Sequence, residues 1–210
     1  MVPGLSKIIA CPNCGHCVLK NGLTNVIGLD PRLYSDGKMV MPEPPSFPEL
    51  TKCRKCKTLF WLSKEKVLDT FRDLRMLPIR WARIKVAKVL KIKDLFRALE
   101  EGLAENEYEE LDIRKKIWWL YNDRIRAWKE IFKSKEEELN WKYNCERLIE
   151  LLDPNLLNQR IMIADLKRNI GDFEGCMAII DEIEDREFEW LKPIFKEACI
   201  RKRRMVMFLK

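Results

Sequence analysis

"CPNCGHC", residues 11–17, places three cysteines and the chain's only histidine within seven positions. A second pair, Cys53 and Cys56, stands in "CRKC" with the same two-residue gap. That gap lets one tight turn aim both sulfurs at a single ion, and two pairs supply the four thiolates a closed tetrahedral zinc site takes. Gly15 follows the first pair where the chain must reverse, and a glycine lowers the steric cost of such a turn. Reading Cys11, Cys14, Cys53 and Cys56 as one metal site decides the fold of the first third of the chain. The expected ion is a structural Zn²⁺. Iron is the lesser alternative, since four thiolates suit it as well.

Other readings of the heptapeptide explain less. A redox-active Cys-Pro-x-Cys needs a preceding strand and a helix whose N-terminus lowers the thiol pKa. Only ten residues precede Cys11, "VLKNGLTN" is a poor helix, and Cys53 and Cys56 would be left unexplained. "IIAC" (8–11) looks like a lipoprotein cleavage site, but a secretory signal needs an apolar core of about 7–15 residues. Only three residues separate Lys7 from Cys11. Export is therefore not expected. A cytoplasmic chain with eight cysteines is expected to keep its thiols reduced, for metal ligation and burial. His16 and Cys17 are surplus to the four ligands; His16 is expected to be exposed and Cys17 to begin a strand, and whether either joins the site stays open. Cys145, Cys176 and Cys199 fall at apolar helix positions and read as buried small hydrophobes.

The chain of 210 residues has room for one small and one medium domain. Its hydrophobic fraction of 47% and aromatic fraction of 10% argue for a folded protein. No apolar run approaches the roughly 20 residues of a membrane helix. The net charge of +7 is unevenly spread. Residues 1–60 carry 8 basic and 4 acidic side chains, 61–93 carry 10 and 3, 94–190 carry 15 and 25, and 191–210 carry 7 and 1. A basic front and tail flank an acidic middle, which argues against one uniform nucleic-acid-binding body.

Residues 1–62 hold five of the eight glycines and most of the ten prolines. "TNVIGL" (24–29) and "KMVM" (38–41) read as strands around the turn signal "SDGK", where Gly37 can take positive φ. "PEPPSFPEL" (42–50) reads as an extended connector and "TLFWL" (58–62) as a strand. From Ser63 the pattern turns helical. Ser63 can cap "KEKVLDTFRDLRML", which Pro78 ends, and "IRWARIKVAKVLKIK" (79–93) continues it with alternating apolar and basic residues. Asp94 is expected to cap the next helix, and Asn106 a long one reaching about Phe132. Its stripes Trp118, Tyr121, Ile125, Trp128, Phe132 and Ile113, Ile117, Leu120, Ala127, Ile131 suit a helix buried on two sides. Further helices are expected at about 136–152, 155–170, 173–184 and 187–204, punctuated by "LLDPN" and "NIGDF".

Two family resemblances follow from these motifs. "CPNCG" with the later "CRKCKTLFW" resembles the zinc-ribbon family over residues 8–62, in which two knuckles clamp one zinc between short hairpins. Lys57 stands where that family commonly has glycine, and 38 residues separate the knuckles, a long insert. Lys7, Lys52, Arg54, Lys55 and Lys57 would offset the net −2 of a four-thiolate zinc site. "ADLKRNIGDFEGCMAIIDEI" (164–183) resembles the tetratricopeptide repeat through Ala164, Gly171-Asp172-Phe173 and Cys176. Ala198 lies 34 residues beyond Ala164, the period of that family. "CERLIELL" (145–152) echoes "CMAIIDEI" (176–183). The resemblance implies a curved helical scaffold over 136–204 that binds a peptide or protein segment. The expected fold is mostly α: a β-rich zinc ribbon at 1–62 and an all-α, tetratricopeptide-like helical-repeat domain at 63–210.

Catalysis finds little material here. With the one histidine already inside the knuckle, a Ser-His or Cys-His nucleophilic pair has little material to use, and "NIGDFEG" lacks the lysine and spacing of a phosphate-binding loop. Glu105, Glu107, Glu109, Glu110 and Glu136–Glu138 read as solvated helix faces. The expected function is a non-enzymatic, zinc-binding adaptor or scaffold for a protein partner. Trp118, Trp119, Tyr121, Asn122 and Arg126 are candidates to line its groove, because adjacent helix residues point about 100° apart and cannot share one core face. Burial of both tryptophans between helices is the plainer alternative. The other functional reading is a nucleic-acid-binding zinc ribbon using the basic 74–93 segment, with Arg80, Arg83, Lys85, Lys88, Lys91 and Lys93 on phosphates.

Overall fold

The computed structural model describes residues 4–22, 31–40, 48–72, 75 and 77–210. The chain divides into two compact units, and the division is interleaved. One unit comprises residues 1–30 and 41–103; the other comprises 31–40 and 104–210. The boundary expected between 62 and 63 falls within the first of these units. Overall the protein is mixed α/β, with six α-helices among the described residues.

The first unit is built on hairpins. β1 (Ser6–Ala10) and β2 (Cys17–Lys20) pair antiparallel, with Ala10 opposite Cys17. β5 (Leu50–Lys52) and β6 (Leu59–Trp61), the strand expected in "TLFWL", make a second hairpin closed by Lys52 opposite Leu59. β1 also pairs antiparallel with β7 (Val67–Phe71), and β2 pairs parallel with β8 (Lys85–Val86). The sheet order is β7-β1-β2-β8. Ile9, Val18, Phe60, Leu62 and Ala87 pack with Cys11 and Cys53 into the core.

Two helix expectations are corrected here. The helix expected over 64–77 is replaced, within the described residues, by strand β7, because the edge of β1 offers a ladder that a helix could not complete. Val67, Thr70 and Phe71 are residues that suit a pleated surface, and the pairing overrides a helical spacing of apolar side chains. The helix expected over 79–93 is a short 3₁₀ turn (Ile79–Trp81), then β8, then the start of α1 (Ile92–Glu100). Ile79, Ile84, Val86 and Val89 are β-branched and give up side-chain freedom in a helix. The Ala87 N–H donates to the Leu19 carbonyl at 2.8 Å and extends the sheet instead. Asp94 sits three residues into α1, where its carboxylate accepts from the Lys91 N–H at 3.3 Å. The proposed strand at 24–29 and most of the connector at 42–50 lie outside the described residues.

The second unit stacks α2 (Glu107–Arg126), α3 (Lys135–Leu151), α4 (Leu157–Ile170), α5 (Phe173–Asp181) and α6 (Leu191–Ile200), each packed on the next. Ser63 lies in a turn and starts no helix. The expected cap Asn106 accepts from the Glu109 N–H; Ser134 accepts from Glu137 and Asp172 from Gly175, two caps not foreseen. Each satisfies an amide that a helix start leaves without an intrahelical partner. Gly171 ends α4 at φ +98°, a left-handed conformation open to glycine. α2 stops six residues before Phe132. Trp128 turns left-handed and is almost wholly exposed, while Arg124 donates to the Ile131 carbonyl and pairs with Glu137.

Joined to these helices is β3 (Arg32–Leu33) and β4 (Met39–Val40), an antiparallel hairpin that the chain carries between its two cysteine pairs. The turn is the expected "SDGK", with Gly37 at φ +71°, but the partner of 39–40 is 32–33. Residues 207–210 line the outer side of β3: Ser35 N–H donates to the Met207 carbonyl and Leu209 N–H to the Leu33 carbonyl, both at 2.9 Å. No helix among the described residues is long and apolar enough to cross a membrane.

Candidate metal centre

Each cysteine pair occupies the turn of a hairpin, and the two turns are built alike. In the first, Cys11 N–H donates to the His16 carbonyl at 3.0 Å and Gly15 N–H to the Cys11 carbonyl at 2.9 Å. In the second, Cys53 N–H donates to the Thr58 carbonyl at 2.8 Å and Lys57 N–H to the Cys53 carbonyl at 3.1 Å. Both turns close through a left-handed residue, and Gly15 and Lys57 share φ +67°. Lys57 therefore takes the glycine position at a steric cost of about 1–2 kcal/mol.

The turns bring four sulfurs together. Cys11 Sγ lies 3.6 Å from Cys56 Sγ, Cys14 Sγ lies 3.6 Å from Cys53 Sγ, and all four are within 4.8 Å of one another. A tetrahedron of sulfurs about 2.3 Å from a central zinc has edges of about 3.8 Å. The donors are thiols, soft ligands, at a spacing that suits such an ion. Cys11 and Cys53 are buried, and Cys14 and Cys56 pack against the same core. These four cysteines can hold a metal ion. Among the described residues no other set of three or more His, Cys, Asp or Glu side chains converges in this way.

Polar neighbours single out one sulfur. Asn13 Nδ2 donates to Thr58 Oγ1 at 3.0 Å, joining the two turns. The Thr58 hydroxyl proton is then free to point at Cys56 Sγ, 3.2 Å away. That hydroxyl, helped by the Thr58 backbone N–H, pulls the Cys56 pKa down to about 5. Burial pushes Cys11 up to about 12. At Cys14 the His16 backbone N–H pulls downward, but burial and the neighbouring sulfurs outweigh it and the pKa is raised. The metal-free cluster thus holds one ready thiolate beside thiols that must lose their protons to ligate. Asn13 and Thr58 were not singled out by the sequence; their positions two residues from a cysteine were the available signal.

His16 is half-buried rather than exposed, and Cys17 begins β2 as expected, its thiol donating to the Gly15 carbonyl at 3.4 Å. Neither belongs to the converging set. Of the basic neighbours, Lys52 is paired with Asp94. Burial pushes Asp94 upward, but Lys52, the Lys91 N–H and Arg97 hold its pKa below the ordinary carboxylate value. Lys57 Nζ donates to the Arg54 carbonyl at 2.6 Å.

The candidate groove and nucleic-acid residues are placed as follows. Trp118, Tyr121 and Asn122 are buried, and Trp118 Nε1 donates to Asn169 Oδ1 at 2.8 Å. Trp119, Asn122 and Arg126 engage the 31–40 hairpin. Trp119 Nε1 donates to the Asp36 carbonyl at 3.0 Å, Asn122 Nδ2 donates to Asp36 Oδ2 at 2.8 Å, and Arg126 pairs with the Asp36 carboxylate. The surface expected to receive a partner segment receives a segment of the chain itself. Arg80 pairs with Asp69 at 2.7 Å. Arg83, Lys85, Lys91 and Lys93 are exposed and Lys88 is half-buried, along a turn, a strand and the start of α1 rather than on one helix face.

A second polar cluster, not foreseen, lies beside Asp36. Arg168 and Asp165, both fully buried, form an ion pair at 2.5 Å. Ser35 Oγ lies 3.3 Å from Asp165 Oδ2 and accepts from the Met207 N–H at 3.0 Å. Arg168 also donates to the Met205 carbonyl at 2.9 Å. Comparison with protein-family models, curated proteins and solved structures finds no match for the chain.

Proposed function

We propose that the protein is a zinc-holding, non-catalytic interaction adaptor, in which a closed four-thiolate site stabilises a small hairpin unit beside a helical scaffold. The observation that carries this reading is the convergence of Cys11, Cys14, Cys53 and Cys56 from two turns of equivalent build. Four protein ligands complete a tetrahedral zinc and leave no position for substrate. The hairpin unit has a small core, and metal binding contributes folding free energy to such a unit. The tetratricopeptide-like reading of the helices is supported by Ala164 and Cys176, which pack in one cluster with Cys199, and by the Gly171-Asp172 turn. Because Trp119, Asn122 and Arg126 hold residues 31–40, the partner surface is sought elsewhere on the scaffold.

Charge segregation favours a second reading, a polyanion such as nucleic acid on the metal-holding unit. Residues 1–30 and 41–103 carry 17 basic and 9 acidic side chains, whereas 31–40 and 104–210 carry 23 and 24. Metal analysis of the reduced, purified chain tests the first reading, with one zinc per chain expected and no stoichiometric metal overturning it. A salt titration with single- and double-stranded oligonucleotides separates the two readings. Binding that grows steeply as salt falls supports the nucleic-acid reading, and none at low salt removes it.

A further inference from the structure

Residues 31–40 sit in the middle of the 38-residue stretch between Cys14 and Cys53, yet belong to the helical unit. Sixteen residues (15–30) join them to one knuckle and twelve (41–52) to the other. The hairpin is held firmly where it docks: Asp36 is fully buried on Trp119, Asn122 and Arg126, and Ser35 is buried on Asp165 and Met207. On its other side the chain from 41 to 103 is the larger part of the metal-holding unit.

We propose that metal occupancy at the four cysteines and docking of residues 31–40 onto the helices are thermodynamically linked through this interleaved chain, each favouring the other. The inference rests on the metal-site reading. Cys11 and Cys53 are two of the seven buried residues of that unit's core cluster, so removing the metal loosens the core as well as the clamp. With the unit folded, the Leu62 N–H on the Glu49 carbonyl at 2.7 Å and Trp61 Nε1 on the Leu103 carbonyl at 2.8 Å hold residue 49 near residue 103, so the loop from Val40 to the helices counts only the eight residues 41–48. With it unfolded, the same path is a loop of 63 residues that docking must close. Loop-closure entropy grows as three-halves of the logarithm of length. Replacing a tether of about eight residues by one of this length weakens docking on the order of tenfold. Linkage is reciprocal, so undocking the hairpin weakens metal binding by the same factor.

Hydrogen exchange on the full chain, with zinc and after chelation, tests the proposal. Chelation is expected to speed exchange of the β1 and β2 amides, and also of the Tyr34, Gly37 and Leu209 amides by about tenfold. Faster exchange in β1 and β2 with unchanged hairpin amides overturns the linkage while leaving the metal site intact. No change in either place removes the metal-site reading, and the linkage with it. The reciprocal arm uses Asp36→Ala, which lies outside the metal-holding unit. Its zinc affinity, measured by competition with a chromophoric chelator, is expected to fall about tenfold. Affinity within twofold of the parent, with the hairpin shown undocked by exchange, overturns the proposal.

Discussion

Replacing Asp36 by alanine removes the carboxylate on which two side chains of α2, Asn122 and Arg126, converge. Its oxygens take Asn122 Nδ2 at 2.8 Å and the Arg126 guanidinium, and its side chain is wholly buried. Truncation leaves the Arg126 charge, itself only 8% exposed, without its buried counter-ion and strands the Asn122 amide. Breaking a buried pair by removing one partner costs about 3–5 kcal/mol. Arg126 keeps Asp123 at 2.7 Å, a carboxylate one-third exposed, which places the cost at the lower end. With a urea slope of about 1–3 kcal/mol/M, a loss of about 3 kcal/mol moves the midpoint of the helical transition down by roughly 1–3 M. Circular dichroism at the helical band of the zinc-loaded chain reads this shift. Arg126→Met alone also destabilises, while the double variant costs less than the sum, because no unpaired charge remains. Asp36 adds a pH dependence. Burial raises its pKa above the ordinary carboxylate value, with Arg126 and Asn122 pulling back. A raised folded pKa means the group favours the fold most when protonated, so its contribution declines as pH rises from the unfolded value through the folded one. A cost below 1 kcal/mol for Asp36→Ala, or strict additivity with Arg126→Met, would refute the account of how the hairpin is held.

Two further expectations concern the cysteines. Cys11 and Cys14 have raised pKa values while Cys56 is a thiolate above about pH 5, so zinc binding at neutral pH releases at least two protons. Affinity should fall about a hundredfold or more per unit of pH lowered, and calorimetry in buffers of different ionisation heat counts the protons; one or none contradicts the assignment. In the turns, Gly15→Ala should destabilise the metal-loaded unit by about 1 kcal/mol and Lys57→Gly should stabilise it by about 0.5 kcal/mol. A β-carbon on Gly15 would meet nothing within 4 Å, so only backbone strain is at stake, and thermal melts showing shifts of the same sign would contradict the equivalence of the turns.

What was legible in the sequence was what is decided locally. The cysteine pairs show because two residues of spacing determine a turn, and α2 to α6 show through periodicity, the cap Asn106 and the breaks "LLDPN" and "NIGDF". β7 and β8 were illegible because partners far along the chain decide them: Ile8 opposite Asp69, Val18 opposite Lys85. Their apolar spacing fits a helix equally well. The end of α2 was missed for a similar reason, since the Arg124–Glu137 pair holds a reversal that apolar stripes running to Phe132 do not announce. The place of residues 31–40 was hidden most deeply. "SDGK" announces a turn, but that Asp36 finds Arg126 ninety positions away is a matter of tertiary pairing. Trp119 and Arg126, expected to line a groove for a partner, hold Asp36 of the same chain.

The passage of one hairpin from the first unit's sequence into the second unit's body also limits how such a protein can be rearranged. A fusion or recombination that joins other chains at residue 103 would carry the helices away without Ser35 and Asp36, leaving Arg126 and Asn122 without the carboxylate they hold. Replacing the cysteine-bearing segment wholesale would delete the same ten residues. The two units therefore cannot be traded as separate modules by a single crossover. They form a pair whose sequence order and spatial membership do not coincide.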